Sequence, residues 1–284
     1  MEAVFNIIYN FMGILFPFDW LSHDFMKRAL LATLFVAPAA AAMGIHVVNF
    51  RMSFYSDAIS HSAFTGVALG ILAGIDPVVT MVFFGLFVGS IIVKVRKKTD
   101  LSVDTIIGVA FSTSVALGIV IISAKRGLTR NLHSFIYGDV LAVSEGEIVL
   151  MALLALAVLL FAVYLYNHLI LMAINGEVAK TKGVPTTLYE YIFSILLALV
   201  VCLCIRVVGI LLVTALIIVP AAVGRILSKN VASLFWYSMA AALLASVTGL
   251  VISYYWDTAT GATMVLVCAV LFFLSQVIAI FQKS

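Results

Sequence analysis

The sequence predicts an all-α, polytopic membrane protein, and three observations carry that reading. First, 64% of the 284 residues are hydrophobic and 10% are charged, with a mean hydropathy of +1.23. A soluble domain of this size needs a polar surface that this composition cannot supply. Second, the apolar residues fall in runs of about 20, the helical length that crosses a hydrocarbon core of about 30 Å. Barrel strands would instead show alternating segments of about 10 residues. Third, the cationic side chains sit in short connections between the runs, the pattern of membrane orientation.

The runs place helices near 27–48, 55–73, 77–95, 103–123, 147–172, 187–204, 207–223, 231–254 and 259–281, about nine spans within a range of 8–10. They form one transmembrane domain over 1–284. Residues 1–25 open it with an apolar stretch at 3–18 followed by Trp20, either a short span or an interfacial helix with an aromatic anchor. That stretch lacks the basic n-region and small-residue cleavage site of a signal peptide. Gly74-Ile75-Asp76-Pro77 is a tight turn between the second and third runs. Gly66, Ala68 and Gly70 are expected to let a neighbouring helix approach closely. The connection 124–146 mixes charge with apolar residues and predicts a short helix packed over one mouth. In 174–186, Asn175-Gly176 stops the preceding helix, Glu177–Lys182 form one or two turns, and Gly183 with Pro185 ends them. Arg206 is expected to snorkel at a tight turn. Pro220 is expected to kink or end the seventh span, and Tyr254, Tyr255 and Trp256 to form an interfacial belt.

One set of connections carries ten Lys and Arg, including the cluster Lys94-Val95-Arg96-Lys97-Lys98, and the opposite set carries six. The positive-inside rule then puts the N-terminus outside and the C-terminus inside. The net charge of +3 reflects these loops and gives no sign of nucleic-acid binding. Cys202, Cys204 and Cys268 lie within apolar runs, are odd in number and include no CxxC, which points to core packing. There is no G-x-x-x-x-G-K-[ST], so nucleotide hydrolysis by that route is excluded, and the absence of H-E-x-x-H and G-x-S-x-G weakens the intramembrane-protease and hydrolase readings.

The stretch DAISHSAFTGVALGILAG holds the most informative pair, Asp57 and His61. Four residues is about one helical turn, so a carboxylate and an imidazole share a helix face. Such a pair can bind a divalent transition metal, and ionisable groups within a membrane protein point to function. Spacing alone leaves a second reading open, in which Ser56 and Asp57 cap the helix start and His61 is a packing donor.

RMSFYSDAISHSAFTGVALG resembles the signature of the bacterial zinc/manganese ABC-importer permeases, in which a basic-Met-Ser stretch leads into an Asp-x-x-x-His helix. SVDTIIGVAFSTSVALGIVIIS, LHSFIYGDVLAVS, VVGILLVTALIIVPAAVGR and DTATGATMVL resemble the family's later blocks in order, over roughly residues 27–280. The resemblance implies a permease of the type II-like importer architecture in a bacterial plasma (inner) membrane. It implies a homodimer around a central path, a cytoplasmic ABC ATPase dimer and an extracytoplasmic metal-binding protein. NGEVAKTKGVP matches the ATPase-docking segment, with Glu177, Ala179 and Gly183 at the matching positions, although Lys180 and Lys182 depart from the usual block. His133 and Asp139 are candidate contacts for the binding protein.

The expected function is therefore import of a divalent metal through a non-enzymatic membrane subunit, with ATP hydrolysis in a partner. Zn²⁺ is favoured over Mn²⁺ on resemblance; either is a transported substrate, and no permanently bound cofactor is expected. The alternative is a proton-coupled secondary transporter in which protonation of His61 releases the ion.

Overall fold

A computed structural model describes residues 2–15, 18–124, 133–210 and 212–283 of the chain, and among them the regular structure is helical. In chain order the helices are α1 (Glu2–Leu15), α2 (Asp24–Asn49), α3 (Ser53–Ala73), α4 (Pro77–Arg96), α5 (Val103–Ala124), α6 (His133–Tyr137), α7 (Glu145–Ile174), α8 (Gly176–Thr181), α9 (Thr186–Val208), α10 (Val213–Leu227), α11 (Val231–Trp256) and α12 (Thr260–Lys283). Seven of these, α2, α4, α5, α7, α9, α11 and α12, are long and apolar enough to cross a membrane. The 21-residue α3 carries serines, Asp57 and His61 and is more polar, and α10 has 15 residues. At 14 residues α1 is about 21 Å long, short of the hydrocarbon thickness. It buries Phe5, Tyr9 and Met12 and exposes Ile7, Phe11 and Ile14.

Local chemistry sets the helix ends. Asp76 caps α4 by accepting from the Val78 N–H at 2.7 Å, with Pro77 as the first helical residue. Capping boxes start α7 (Ser144 with Glu147) and α11 (Asn230 with Ser233). The centre of the bundle is α2, whose small residues from Ala37 to Ala42 are buried as α7, α10 and α11 close around it. Outward faces of α5, α7 and α12 present Val109, Val163 and Phe273, the surface that a bilayer covers. The three cysteines are buried free thiols.

Two expectations are corrected by the packing, and that for Pro220 is narrowed. The seventh run is expected to begin at 207, whereas α9 extends to Val208 and α10 begins at Val213. The intervening turn uses Gly209 at φ +89° against Gly138 at φ +73°, and a Cβ on Gly138 would lie 2.5 Å from the Gly209 nitrogen. Pro220 does not end its helix, which runs on to Leu227. Arg206 does not simply snorkel: its Nε donates to Glu147 at 2.7 Å and its guanidinium lies over the Phe135 ring.

The short helix expected within 124–146 is α6. Its Phe135 carbonyl accepts from the Ile210 N–H at 3.0 Å, and Asp139 N–H donates to the Arg206 carbonyl at 3.1 Å. The connection is thereby stitched to the end of α9. Lys125, Arg126 and Arg130 lie outside the described residues. At the far end of the 30-residue α7 sits α8. The bundle therefore has an α6 end and an α8 end.

Candidate functional site

The site is built on α3, most of whose surface is committed to packing. Gly66 faces α4, where a Cβ would lie 2.7 Å from the Thr80 carbonyl oxygen, and Gly70 faces the start of the same helix. Ser62 donates to Ser114 Oγ at 2.9 Å and Thr65 to the Ser114 carbonyl at 2.6 Å, fixing α3 to α5. Tyr55 donates to the Gly89 carbonyl at 3.1 Å and shares a short hydrogen bond with Ser194, fixing the start of α3 to α4 and α9. A helix held on so many sides presents its remaining polar groups in fixed positions.

Those groups are Asp57 and His61, both half-buried. The capping reading fails, because α3 begins at Ser53 and its cap position is Met52, which makes no side-chain bond. Asp57 lies one turn inside the helix. Its Oδ1 accepts from Thr214 Oγ1 at 2.5 Å, across from α10. Oδ1 is thus oriented by a hydroxyl, and among the described residues no hydrogen bond engages Oδ2. The His61 ring meets Phe111 of α5 edge-on, with centroids 4.8 Å apart and planes at 79°. The pair shares a helix face and combines an oxygen donor with an imidazole nitrogen, a donor set suited to a divalent transition metal. Among the described residues no group of three or more His, Cys, Asp and Glu side chains converges on a common point. Among the described residues, Asp57 and His61 are therefore two donors without a third.

The sequence alone does not point to Thr214. It lies in LLVTALIIVP, an otherwise apolar block, and its partner is 157 residues away. A lone hydroxyl within an apolar block was the only available signal.

At the α8 end, Asn175 both ends α7 and caps α8, its Oδ1 accepting from the N–H groups of Glu177 (3.0 Å) and Val178 (3.2 Å). Glu177 is exposed and pairs with Lys180 at 2.7 Å, which raises the Lys180 pKa. Gly183 follows at φ +78°, with open space where a Cβ would point. Ala179 differs from expectation. It is fully buried with Met172 and Val184, so the close approach it permits is between α8 and its own chain. A cavity of about 680 Å³ opens beside α8, lined by Arg96, Lys97, Glu177, Lys180 and Glu190 among others, and does not include Asp57 or His61. Asp139, at the other end, is exposed and its carboxylate caps a single turn by accepting from Ala142 N–H at 3.2 Å. His133 begins α6, and its side chain lies outside the described residues. The structure thus brings Asp57 and His61 together with Thr214, and holds Glu177, Ala179 and Gly183 on one short segment.

Similarity to known proteins extends over nearly the whole chain. The high-affinity zinc uptake system membrane protein ZnuB of Haemophilus influenzae is 30% identical over 252 residues, 89% of this chain and 97% of the relative. The manganese import system permease protein ScaB of Streptococcus gordonii is 33% identical over 263 residues, 92% of this chain and 94% of the relative. Among solved structures, PsaBC from Streptococcus pneumoniae in complex with a Fab superposes with a TM-score of 0.78 at 30% identity, covering 97% of this chain and 95% of the other. With residues 22–279 matched by the family's own model, the chain belongs to the ABC 3 transport family.

Proposed function

We propose that this chain imports a divalent transition metal into the cytoplasm, Zn²⁺ first and Mn²⁺ as the second reading, with Asp57 and His61 as ligands along the path. The chain is the multi-pass membrane subunit of an ABC transporter of the bacterial inner membrane, and ATP hydrolysis belongs to a separate ATPase. The observation that carries the metal reading is the half-buried Asp57–His61 pair on one face of α3, held by Thr214 and Phe111. The names of the zinc and manganese relatives support the substrate class.

Two donors per chain require completion from elsewhere. In a homodimer with α3 facing the axis, two copies supply two carboxylates and two imidazoles. An extracytoplasmic binding protein delivers the ion at the α6 end, where Asp139 and the start of α6 at His133 are candidate contacts. The positive-inside reading makes the α8 end cytoplasmic. There the ATPase meets the exposed Glu177 face of α8 and the open backbone at Gly183, while buried Ala179 seats the helix. ATP binding moves α8 and shifts the bundle between two states. The ion must be held weakly enough to leave, which suits a site with few ligands from each chain.

Uptake of radioactive Zn²⁺ and Mn²⁺ into proteoliposomes, with and without the partner ATPase and ATP, tests this reading. ATP-dependent uptake that Zn²⁺ supports better than Mn²⁺ is expected. Uptake driven by a proton gradient in the absence of the ATPase would restore the secondary-transporter alternative, which membership of an ABC family disfavours.

A further inference from the structure

A second cavity, about 380 Å³, opens at the α8 end between the end of α2, the last turns of α7 and the α10–α11 junction. Its lining includes neither Asp57 nor His61. Its charged lining consists of Arg51 and Arg225, and no acidic residue lines it. Neither arginine forms an ion pair among the described residues. Arg225 Nη1 donates to Asn49 Oδ1 at 2.7 Å, which orients the guanidinium beside the cavity. Arg51 is held at φ +56°, at the position just past the end of α2 where glycine or asparagine is the unstrained choice. The Arg51 N–H donates to the Val48 carbonyl at 3.2 Å and the Met52 N–H to the Val47 carbonyl at 3.0 Å, so the helix end itself enforces this conformation. The remaining lining is aliphatic. Ile170, Ile174 and Val231 belong to α7 and α11, and Ile174 and Val231 are exposed large hydrophobics.

Two guanidiniums lining one cavity without counter-charge, one of them oriented by Asn49, and exposed aliphatic side chains at the end of two long apolar helices match one chemistry: a phosphate ester with acyl chains attached. Guanidinium binds phosphate oxygens bidentately. Basic pockets between membrane helices on the cytoplasmic side take anionic headgroups. Trp236 and Tyr237, both exposed near the start of α11, are the residue types that sit at headgroup level. We propose that Arg51 and Arg225 form a binding site for the headgroup phosphate of an anionic phospholipid, with its acyl chains along α7 and α11. A docking peptide is disfavoured, because the exposed aliphatic wall continues onto the bilayer-facing helices.

The test uses the permease purified with its ATPase in detergent, titrated with phosphatidylglycerol or phosphatidylcholine, with bound lipid counted by native mass spectrometry. Wild type should retain phosphatidylglycerol about 10-fold or more over phosphatidylcholine, and the double variant Arg51→Gln/Arg225→Gln should lose that preference. Arg96→Gln, a cation at the same end outside this cavity, should keep it. Equal retention of phosphatidylglycerol by wild type and the double variant overturns the proposal. Displacement of the lipid by millimolar inorganic phosphate identifies a free-phosphate site and also overturns it. So does a double variant that keeps its lipid but loses the ATPase, which makes the face a protein contact. If the double variant does not fold, Arg51→Lys and Arg225→Lys, which keep charge but lose the planar fork, should each weaken retention; unchanged retention in both counts against the site.

Discussion

Replacing Thr214 by Val removes one hydroxyl and keeps the side-chain shape. In the structure that hydroxyl donates to Asp57 Oδ1 at 2.5 Å from a different helix, in a part-buried setting. A hydrogen bond to a charged acceptor contributes about 1.5–3 kcal/mol. At about 1.4 kcal/mol per tenfold, that corresponds to roughly 12- to 140-fold, close to the roughly 10- to 100-fold typical for losing a group that orients a metal ligand. In the proposed function Oδ2 is the oxygen left for the ion, and loss of the bond releases the carboxylate to rotate. Thr214→Val should raise the metal concentration needed for half-maximal ATP-driven uptake by about 10-fold or more. Thr214→Ser, which restores the donor, should recover most of the loss. Uptake is measured in proteoliposomes containing the permease, its ATPase and its binding protein. A thermal midpoint near wild type shows that the fold is intact. Wild-type metal dependence in a folded Thr214→Val variant would refute the role given to this hydroxyl.

Four further outcomes follow from the same geometry. Asp57→Ala and His61→Ala should each abolish metal uptake while the permease still co-purifies with the ATPase; normal uptake in both would make the pair structural. Ala179→Leu forces extra carbons into a fully buried position, at a cost of about 1–3 kcal/mol; pull-down should show loss of ATPase from a folded permease, whereas Glu177→Ala should weaken the complex without lowering the thermal midpoint. Glu147→Gln breaks an ion pair whose side chains are 17% and 20% exposed, and after allowance for solvent screening it should lower stability by about 1–2 kcal/mol. Adding Arg206→Gln should cost less than the sum of the two single changes, and additive losses in a thermal-shift cycle would show that the pair is not coupled. Gly138→Ala places a side chain against the Gly209 backbone at a positive φ, so the α6 segment should become more susceptible to limited proteolysis, while equal cleavage would show the stitch to α9 to be dispensable.

Much of the architecture could be read from hydropathy, because each long apolar run has to satisfy its backbone within a helix. The short α8 was equally legible, since Asn175, Gly183 and Pro185 dictate its ends locally. The misreadings share a cause. Arg206 looked like a snorkelling cation because Glu147 is 59 residues away. The seventh run looked continuous from 207 because no local signal says that Gly209 must meet Gly138. Ala179 was placed at the docking segment by resemblance, and only the packing of Met172 and Val184 shows that it faces inward. At the site, helical spacing put Asp57 and His61 together. It could not show that the helix starts four residues before Asp57, which removes the capping reading, or that Thr214 arrives from α10.

The central claim is that Asp57 and His61 hold the transported ion between two copies of the chain. Anomalous-scattering maps at the zinc edge, from crystals of the permease–ATPase complex soaked in Zn²⁺, test it most directly. The account predicts a peak about 2.0–2.2 Å from a carboxylate oxygen of Asp57 and an imidazole nitrogen of His61, lost in the His61→Ala variant. A peak bound elsewhere along the path, with Asp57 still on Thr214 and His61 still against Phe111 but neither touching the ion, would contradict it.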